Sequence, residues 1–412
     1  MPTEKSPQLP YFEQCPVSFA ATQLVSNGLH DGIIAISDEM RARAEAGRHE
    51  YTGFRVDIPG VRDARVVTGS VAAYRKYGGL LGDSPNATDK SLASSALGER
   101  AHGAFAIDET IPKSPFLTPR TKETIHTNRG LKDGLERRDA AQDADTIWRL
   151  VKTYAKNGHS LFAASMMAVL NTVGAKQQIP EDDIAYFDAA SSHRTHITIA
   201  AFLSRSGRMA GLYDTAHNTI SPDSRRRFGR VAQQLYGTGE AAQQQALLLP
   251  GYRVMGAAVY WAMHRMPQYP GNDMLREYVT EVIRQDAAPL SVLPRLQGAV
   301  RPERDQELHV ISPYVILKGA EFGANARAFS LRRYERQGAE KLPHIINALA
   351  FGIGHRCPAD EYVPAVLREL VTTIRTDNKS TLFAPLGPDK KTGLHVTKMP
   401  KRSQIAWLST IA

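Results

Sequence analysis

LAFGIGHRCPADEY, Leu349–Tyr362, sets one of only two cysteines in the chain between a glycine-rich turn and an apolar-striped segment. Gly352 and Gly354 permit a tight turn and the close approach of something flat or bulky. Pro358 suits the first position of a helix. Val363, Val366, Leu367, Leu370, Val371 and Ile374 then recur at i, i+3, i+4, i+7, i+8 and i+11, one face of a helix. The pattern predicts a helix that starts beside Cys357. Its unpaired N–H groups and dipole would favour a thiolate over a thiol, and a thiolate can bind a metal.

Three readings of Cys357 are open from the residues alone. A lone cysteine is commonly a small buried hydrophobe. A nucleophile would need a base and an orienting group, of which this segment offers only the neighbouring His355. A haem ligand would push electron density onto iron from a loop shaped by aromatic and glycine residues. Phe351-Gly352-Ile353-Gly354-His355-Arg356-Cys357-Pro358-Ala359 resembles the cysteine-ligand loop of the cytochrome P450 family, Phe-x-x-Gly-x-His/Arg-x-Cys-x-Gly. It departs in two places: one residue fewer separates Gly354 from Cys357, and Ala359 stands where the second glycine is expected. The resemblance implies one haem-thiolate domain over residues 1–412, mainly α with a small β-sheet, the cytochrome P450 fold, carrying haem b (iron protoporphyrin IX) on Cys357.

Length and composition allow either two or three ordinary domains or one large helical fold. The 412 residues are 42% hydrophobic and 23% charged, enough to bury a large core. No apolar run approaches the ~18 residues of a membrane span, and the N-terminus is not built as a signal peptide, so the expectation is a cytoplasmic protein with no membrane partner. Cys15 and Cys357 give no disulfide framework, which fits a reducing compartment. The net charge of +9 is spread along the chain in short clusters such as Arg225-Arg226-Arg227, without a nucleic-acid-binding signature, so no nucleic-acid partner is expected.

In chain order, the prolines of residues 1–20 predict an extended N-terminal arm. A helix is expected over Gly32–Ala46, a hairpin from Thr52–Asp57 and Ala64–Thr68, and a helix from Ser70 to Tyr77. The polar stretch Asn86–Pro119 reads as either a disordered loop or a lid, and the resemblance implies a lid or channel segment over the haem. Two or three helices follow up to Ile179, with Asp143 or Asp145 as an N-cap. His126 and Arg129, one turn apart, resemble the family's propionate-binding pair. Ser160–Val173 is apolar nearly all round and reads as a buried helix. His193 and His196 are spaced like metal ligands but lack a third.

The chemistry is expected in the second half. Gln243–Arg265 reads as a long helix interrupted by Pro250-Gly251. Here the family usually carries an acid and an alcohol that deliver protons during O–O cleavage, but this chain has Arg253 and Val254. The chain therefore looks like an atypical member, with some resemblance to the peroxide-using fatty-acid hydroxylase and decarboxylase branch, which has an Arg-Pro pair at this place. Burying Arg253 calls for an anion, which either a substrate carboxylate or an internal Asp or Glu would supply. Glu281-Val282-Ile283-Arg284 matches the family's Glu-x-x-Arg motif, and Arg333-Tyr334 sits where a second guanidinium joins it. Arg295 and His355 resemble further propionate partners, and Asn325–Phe329 resembles the segment before the family's meander.

The reading is a haem-thiolate oxidoreductase in which peroxide oxidises an apolar, anionic small molecule held by Arg253. The alternatives are a monooxygenase fed by a ferredoxin and reductase, a haem-thiolate isomerase, dehydratase or cyclase of a biosynthetic pathway, and a non-catalytic haem-binding or partner-recruiting member.

Overall fold

The computed structural model describes residues 54–56, 64–66, 122–174, 178–188, 222–236, 248–287, 292–297, 307–311, 316–323, 325–336, 338–351, 357–377, 382–385 and 405–408. The expected N-terminal arm, the helices at 32–46 and 70–77, the lid at 86–119 and the His193/His196 pair lie outside them. Over the described residues the chain is mainly helical with small sheets.

The expected hairpin is present. Strand β1 (Phe54–Val56) pairs antiparallel with β2 (Ala64–Val66), Phe54 opposite Val66. Helix α1 (Lys122–Glu136) leads to α2 (Ala140–Lys156). The cap of α2 is Asp139, not Asp143 or Asp145: its carboxylate accepts from the N–H groups of Ala141 at 2.9 Å and Gln142 at 3.2 Å. Asp139 wins because its backbone is extended and its side chain reaches the first free donors, whereas Asp143 and Asp145 already lie in the helix. The stripe Ala144, Ile147, Trp148, Val151, Tyr154, Ala155 is buried. Gly158, at φ 93°, turns the chain out of the helix into Ser160, which caps α3 (Leu161–Val169) by accepting from Ala163 N–H.

Helix α3 is buried almost all round, as its sequence predicts. It gives way to a π turn at Leu170–Gly174 rather than running as α-helix to Val173. Asn171 seals this turn, donating to Tyr154 Oη at 2.8 Å and to the Ile179 carbonyl at 3.0 Å, while its Oδ1 accepts from Ile179 N–H at 2.9 Å. Next come α4 (181–188) and α5 (Pro222–Tyr236).

Helix α6 (Leu248–His264) opens with Pro250 in its first turn. The Pro250-Gly251 pair therefore starts the helix instead of kinking it, because a first-turn residue has no intrahelical acceptor for the N–H that proline lacks. From Met255 to Met263 nearly every residue is buried. Helix α7 (Leu275–Val282) passes into a second π turn, Ile283–Ala287. Strands β3 (Val292–Gln297) and β4 (Glu307–Ile311) pair antiparallel, and β4 runs parallel to β2, giving the order β1-β2-β4-β3. Helix α8 (Leu342–Phe351) precedes the cysteine, and α9 (Tyr362–Thr376) follows it. Strands β5 (Leu382–Pro385) and β6 (Ile405–Leu408) form a separate antiparallel pair.

Helix α9 buries the stripe seen in its sequence, Val363, Val366, Leu367, Leu370, Val371 and Ile374, against α2, α6 and α7. Each such side chain contributes about 1.5–3 kcal/mol by leaving water. Helix α3 lies between α2 and α6. The cysteine segment is thus carried between α8 and a helix embedded in the main core.

Candidate functional site

Cys357 lies in a turn, not at a helix mouth. Its N–H donates to the Phe351 carbonyl at 2.7 Å, its carbonyl accepts from Asp360 N–H at 3.1 Å, and α9 starts only at Tyr362. Pro358 therefore occupies the turn rather than the first helical position. The amides of Val363 and Ala365 are already bonded to the carbonyls of Ala359 and Glu361, which leaves those donors unable to serve the sulfur. Burial pushes the Cys357 thiol up to about 11; the Ala359 N–H pulls it back down in part, and Asp360 adds to the rise. The expected helix-dipole stabilisation of a thiolate is replaced by one backbone donor. An anionic sulfur here needs a cation bonded to it.

Helix α8, which ends at Phe351, packs against α7 and the second π turn, and these carry a buried polar brace. Glu281 and Arg284 are both 0% exposed and joined bidentately at 2.8 Å and 2.8 Å. Glu281 also accepts from Arg333 Nε at 3.1 Å, Ser330 N–H at 2.9 Å and Tyr334 Oη at 3.1 Å. The two guanidiniums spend their remaining donors on carbonyls. Arg284 bonds Leu317 and Ala326 at 2.6 Å each and Ala328 at 3.1 Å; Arg333 bonds Phe322 at 2.6 Å, Asn325 at 3.1 Å and Ala328 at 3.0 Å. The Asn325–Phe329 stretch is thereby pinned through its backbone. Burial and the neighbouring Arg284 pull the Arg333 guanidinium down, and burial with Glu281 nearby pushes the Tyr334 phenol up. Removing one partner from such a network strands the others without water, a cost of about 3–5 kcal/mol.

The remaining candidates are placed unevenly. Phe351 ends α8, half-buried against the core, and its carbonyl holds Cys357. Arg253 lies in the second turn of α6, next to Tyr252, whose hydroxyl donates to Asp188 at 2.8 Å; the Arg253 side chain is outside the described residues. Arg295 sits in β3 opposite His309 of β4, and His126 lies in α1, both known by backbone only. Arg129 is exposed on α1. Gly352 and His355 lie outside the described residues. What the structure brings together is therefore Cys357 with Phe351, on a helix that rests against the brace.

Sequence reasoning missed a second polar assembly. Asp143 accepts from Arg138 through two bonds of 2.7 Å and from Tyr362 Oη at 2.6 Å. Its signal was present only as an acid inside an otherwise apolar helical stripe. Asp286, fully buried in the second π turn, is likewise held by Arg265 at 2.8 Å and 3.1 Å.

Among the described residues no group of three or more His, Cys, Asp or Glu side chains could hold a metal ion. A half-buried sulfur that is the only such donor among the described residues fits a metal that arrives with its other ligands already in place, as a porphyrin-bound iron does. No protein-family profile and no curated protein matches the chain in sequence. Solved structures do match its backbone. CYP154A1 from Streptomyces coelicolor A3(2) aligns with TM-score 0.54 at 15% identity over 89% of this chain and 96% of its own. The chain has the cytochrome P450 fold. A variant of cytochrome P450 OleT in complex with arachidonic acid aligns with TM-score 0.54 at 14% identity over 95% and 96%. The myxobacterial cytochrome P450 CYP267B1 in complex with myristic acid gives 0.51 at 12% over 85% and 92%. No helix among the described residues is long and apolar enough to cross a membrane.

Proposed function

We propose that the protein is a haem-thiolate oxidoreductase that uses hydrogen peroxide to oxidise an apolar carboxylic acid. The observation that carries this reading is the pairing, within one P450 fold, of a lone cysteine turn with a helix α6 that has Arg253 and Val254 in place of an acid and an alcohol. When bound, haem supplies the two-electron oxidising chemistry.

The chain's own residues divide the remaining work. Cys357 would be the iron ligand, with Phe351 and Gly352 in its loop, and Arg295, His355, His126 and Arg129 would be the cations for the two haem propionates. Arg253 binds the substrate carboxylate by charge-assisted hydrogen bonds that a mostly apolar helix would strengthen. The carboxylate so held replaces the missing acid as the group that moves a proton at the peroxide oxygens. The apolar remainder of the substrate lies along the apolar surface of α6. The overall balance is R–H + H₂O₂ → R–OH + H₂O. Two of the structural neighbours were solved with long-chain fatty acids, which is the substrate class this reading assigns here.

The test is turnover of a fatty-acid series by the haem-loaded protein with hydrogen peroxide as sole oxidant. Arg253→Ala is expected to lower kcat/KM for acids by about a hundredfold, the loss of a charge-assisted pair, with partial rescue by added guanidinium ion. Turnover that requires NAD(P)H and an electron carrier, and ignores peroxide, would instead make the protein a reductase-fed monooxygenase.

A further inference from the structure

We infer that Tyr362, acting through Asp143 and Arg138, is a positioning residue for the sulfur of Cys357; the inference rests on the haem-thiolate reading. On its C-terminal side the turn at 357–361 runs directly into α9: Val363 N–H donates to the Ala359 carbonyl at 3.0 Å and Ala365 N–H to that of Glu361 at 3.2 Å. Asp360 N–H bonds the Cys357 carbonyl at 3.1 Å, and two residues later the chain enters α9 at Tyr362. The buried Tyr362 phenol donates to Asp143 Oδ2 at 2.6 Å. Asp143 in turn is gripped by Arg138, whose Nε and Nη2 each reach it at 2.7 Å, and Nη2 also donates to the Thr172 carbonyl at 2.9 Å.

The Arg138–Asp143 pair therefore ties together the start of α2, the π turn after α3 and the first residue of α9. A slide or rotation of the first turn of α9 would carry the cysteine turn with it and would break a charge-assisted bond at once. The parallel tie, Lys132 to Asp360 at 3.8 Å, is long and its lysine is well solvated, so it holds the turn only weakly. The N-terminal side of the turn is fixed by Phe351, so the Tyr362 clamp is the matching constraint on the opposite side.

The experiment uses the full chain loaded with haem and compares it with Tyr362→Phe and Asp143→Asn. Tyr362→Phe keeps the ring and its packing, so haem content is retained and the thermal midpoint falls only slightly. The reduced carbon monoxide complex is followed as it loses the strongly red-shifted Soret band of thiolate ligation. Both variants are expected to lose it about tenfold faster, the effect of one hydrogen bond to a charged group. An unchanged rate in Tyr362→Phe overturns the inference.

A second measurement does not depend on haem: hydrogen exchange at the amides of 357–361 in the full chain as purified. It is expected to quicken in Tyr362→Phe while α8 is unaffected, and no local change overturns the inference. If the unsubstituted chain shows no red-shifted band, the haem-thiolate reading fails, and the exchange measurement alone decides the positioning claim.

Discussion

The brace around Glu281 and the crossing of α3 with α6 at Gly256 are both buried and are held by opposite means. At Glu281 two guanidiniums, a phenol and a backbone amide converge on one carboxylate, and stability resides in the completeness of the pairing. At Gly256 the constraint is steric. A Cβ added there would meet Met166 Sδ at 2.6 Å and Met166 Cα at 2.9 Å, so the two backbones approach as closely as they do only because the side chain is a hydrogen atom. The polar region tolerates no missing partner; the apolar region tolerates no added volume.

Three experiments sharpen or break that contrast. The largest effect is expected for Arg284→Met, which fills the volume but leaves Glu281 short of its bidentate partner and several carbonyls unbonded. The loss is about 3–5 kcal/mol in urea denaturation, enough to leave little folded protein. A loss below ~1 kcal/mol would mean that the brace is no more than a surface-like ion pair.

Next is Gly256→Ala, expected to cost about 1–3 kcal/mol by overpacking. Met166→Ala in the same chain should recover only part of this, since shortening the side chain leaves the backbone at 166 where it is, still too near the new methyl group. Full recovery would show that the helices can shift apart and that volume is not the limiting factor.

The smallest effect separates the regions by pH. The phenols of Tyr334, Tyr260, Tyr278 and Tyr362 are all pushed above the ordinary tyrosine value, by burial first. Their folded state keeps the proton longer than the unfolded chain does. Their contribution is therefore fully present below pH ~10 and is lost as pH rises through the folded values. Tyr334→Phe should cost about 1.5 kcal/mol at neutral pH, the worth of a hydrogen bond to a charged group, and should make the alkaline fall in stability shallower. An alkaline limb as steep as that of the unsubstituted chain would show that Tyr334 is not protected by the brace.

How much could be read beforehand follows the range of the interactions. The stripe of α9 and the all-round burial of α3 are set by residues three and four apart, and both were legible. The Glu281–Arg284 pair was legible as a spacing, and Arg333-Tyr334 as a family-like neighbour, but not the carbonyls and donors between Leu317 and Tyr334 that complete the brace. The cap of α2 is not legible in the sequence, because Asp139, Asp143 and Asp145 look alike until backbone geometry shows which carboxylate faces free amides. The freed Asp143 then proved to be the anchor for Tyr362, a partner 219 residues away. Likewise Pro358 reads as a helix start and Pro250 as a helix break; the structure makes the first a turn residue and the second a helix opener, since hydrogen-bond partners, not proline alone, decide where a helix begins.

By itself the sequence determined the helical periodicities and the place of Cys357 after a glycine-rich turn and before an apolar-striped helix. Those are properties of residue type and near-neighbour spacing. Only the tertiary structure decided that Cys357 sits in a turn fixed to Phe351 and that a buried carboxylate holds each of the Ser330–Tyr334 segment and the first turn of α9. Desolvated charges are tolerable only when groups distant in sequence meet them in space, and no local pattern can state which groups those are.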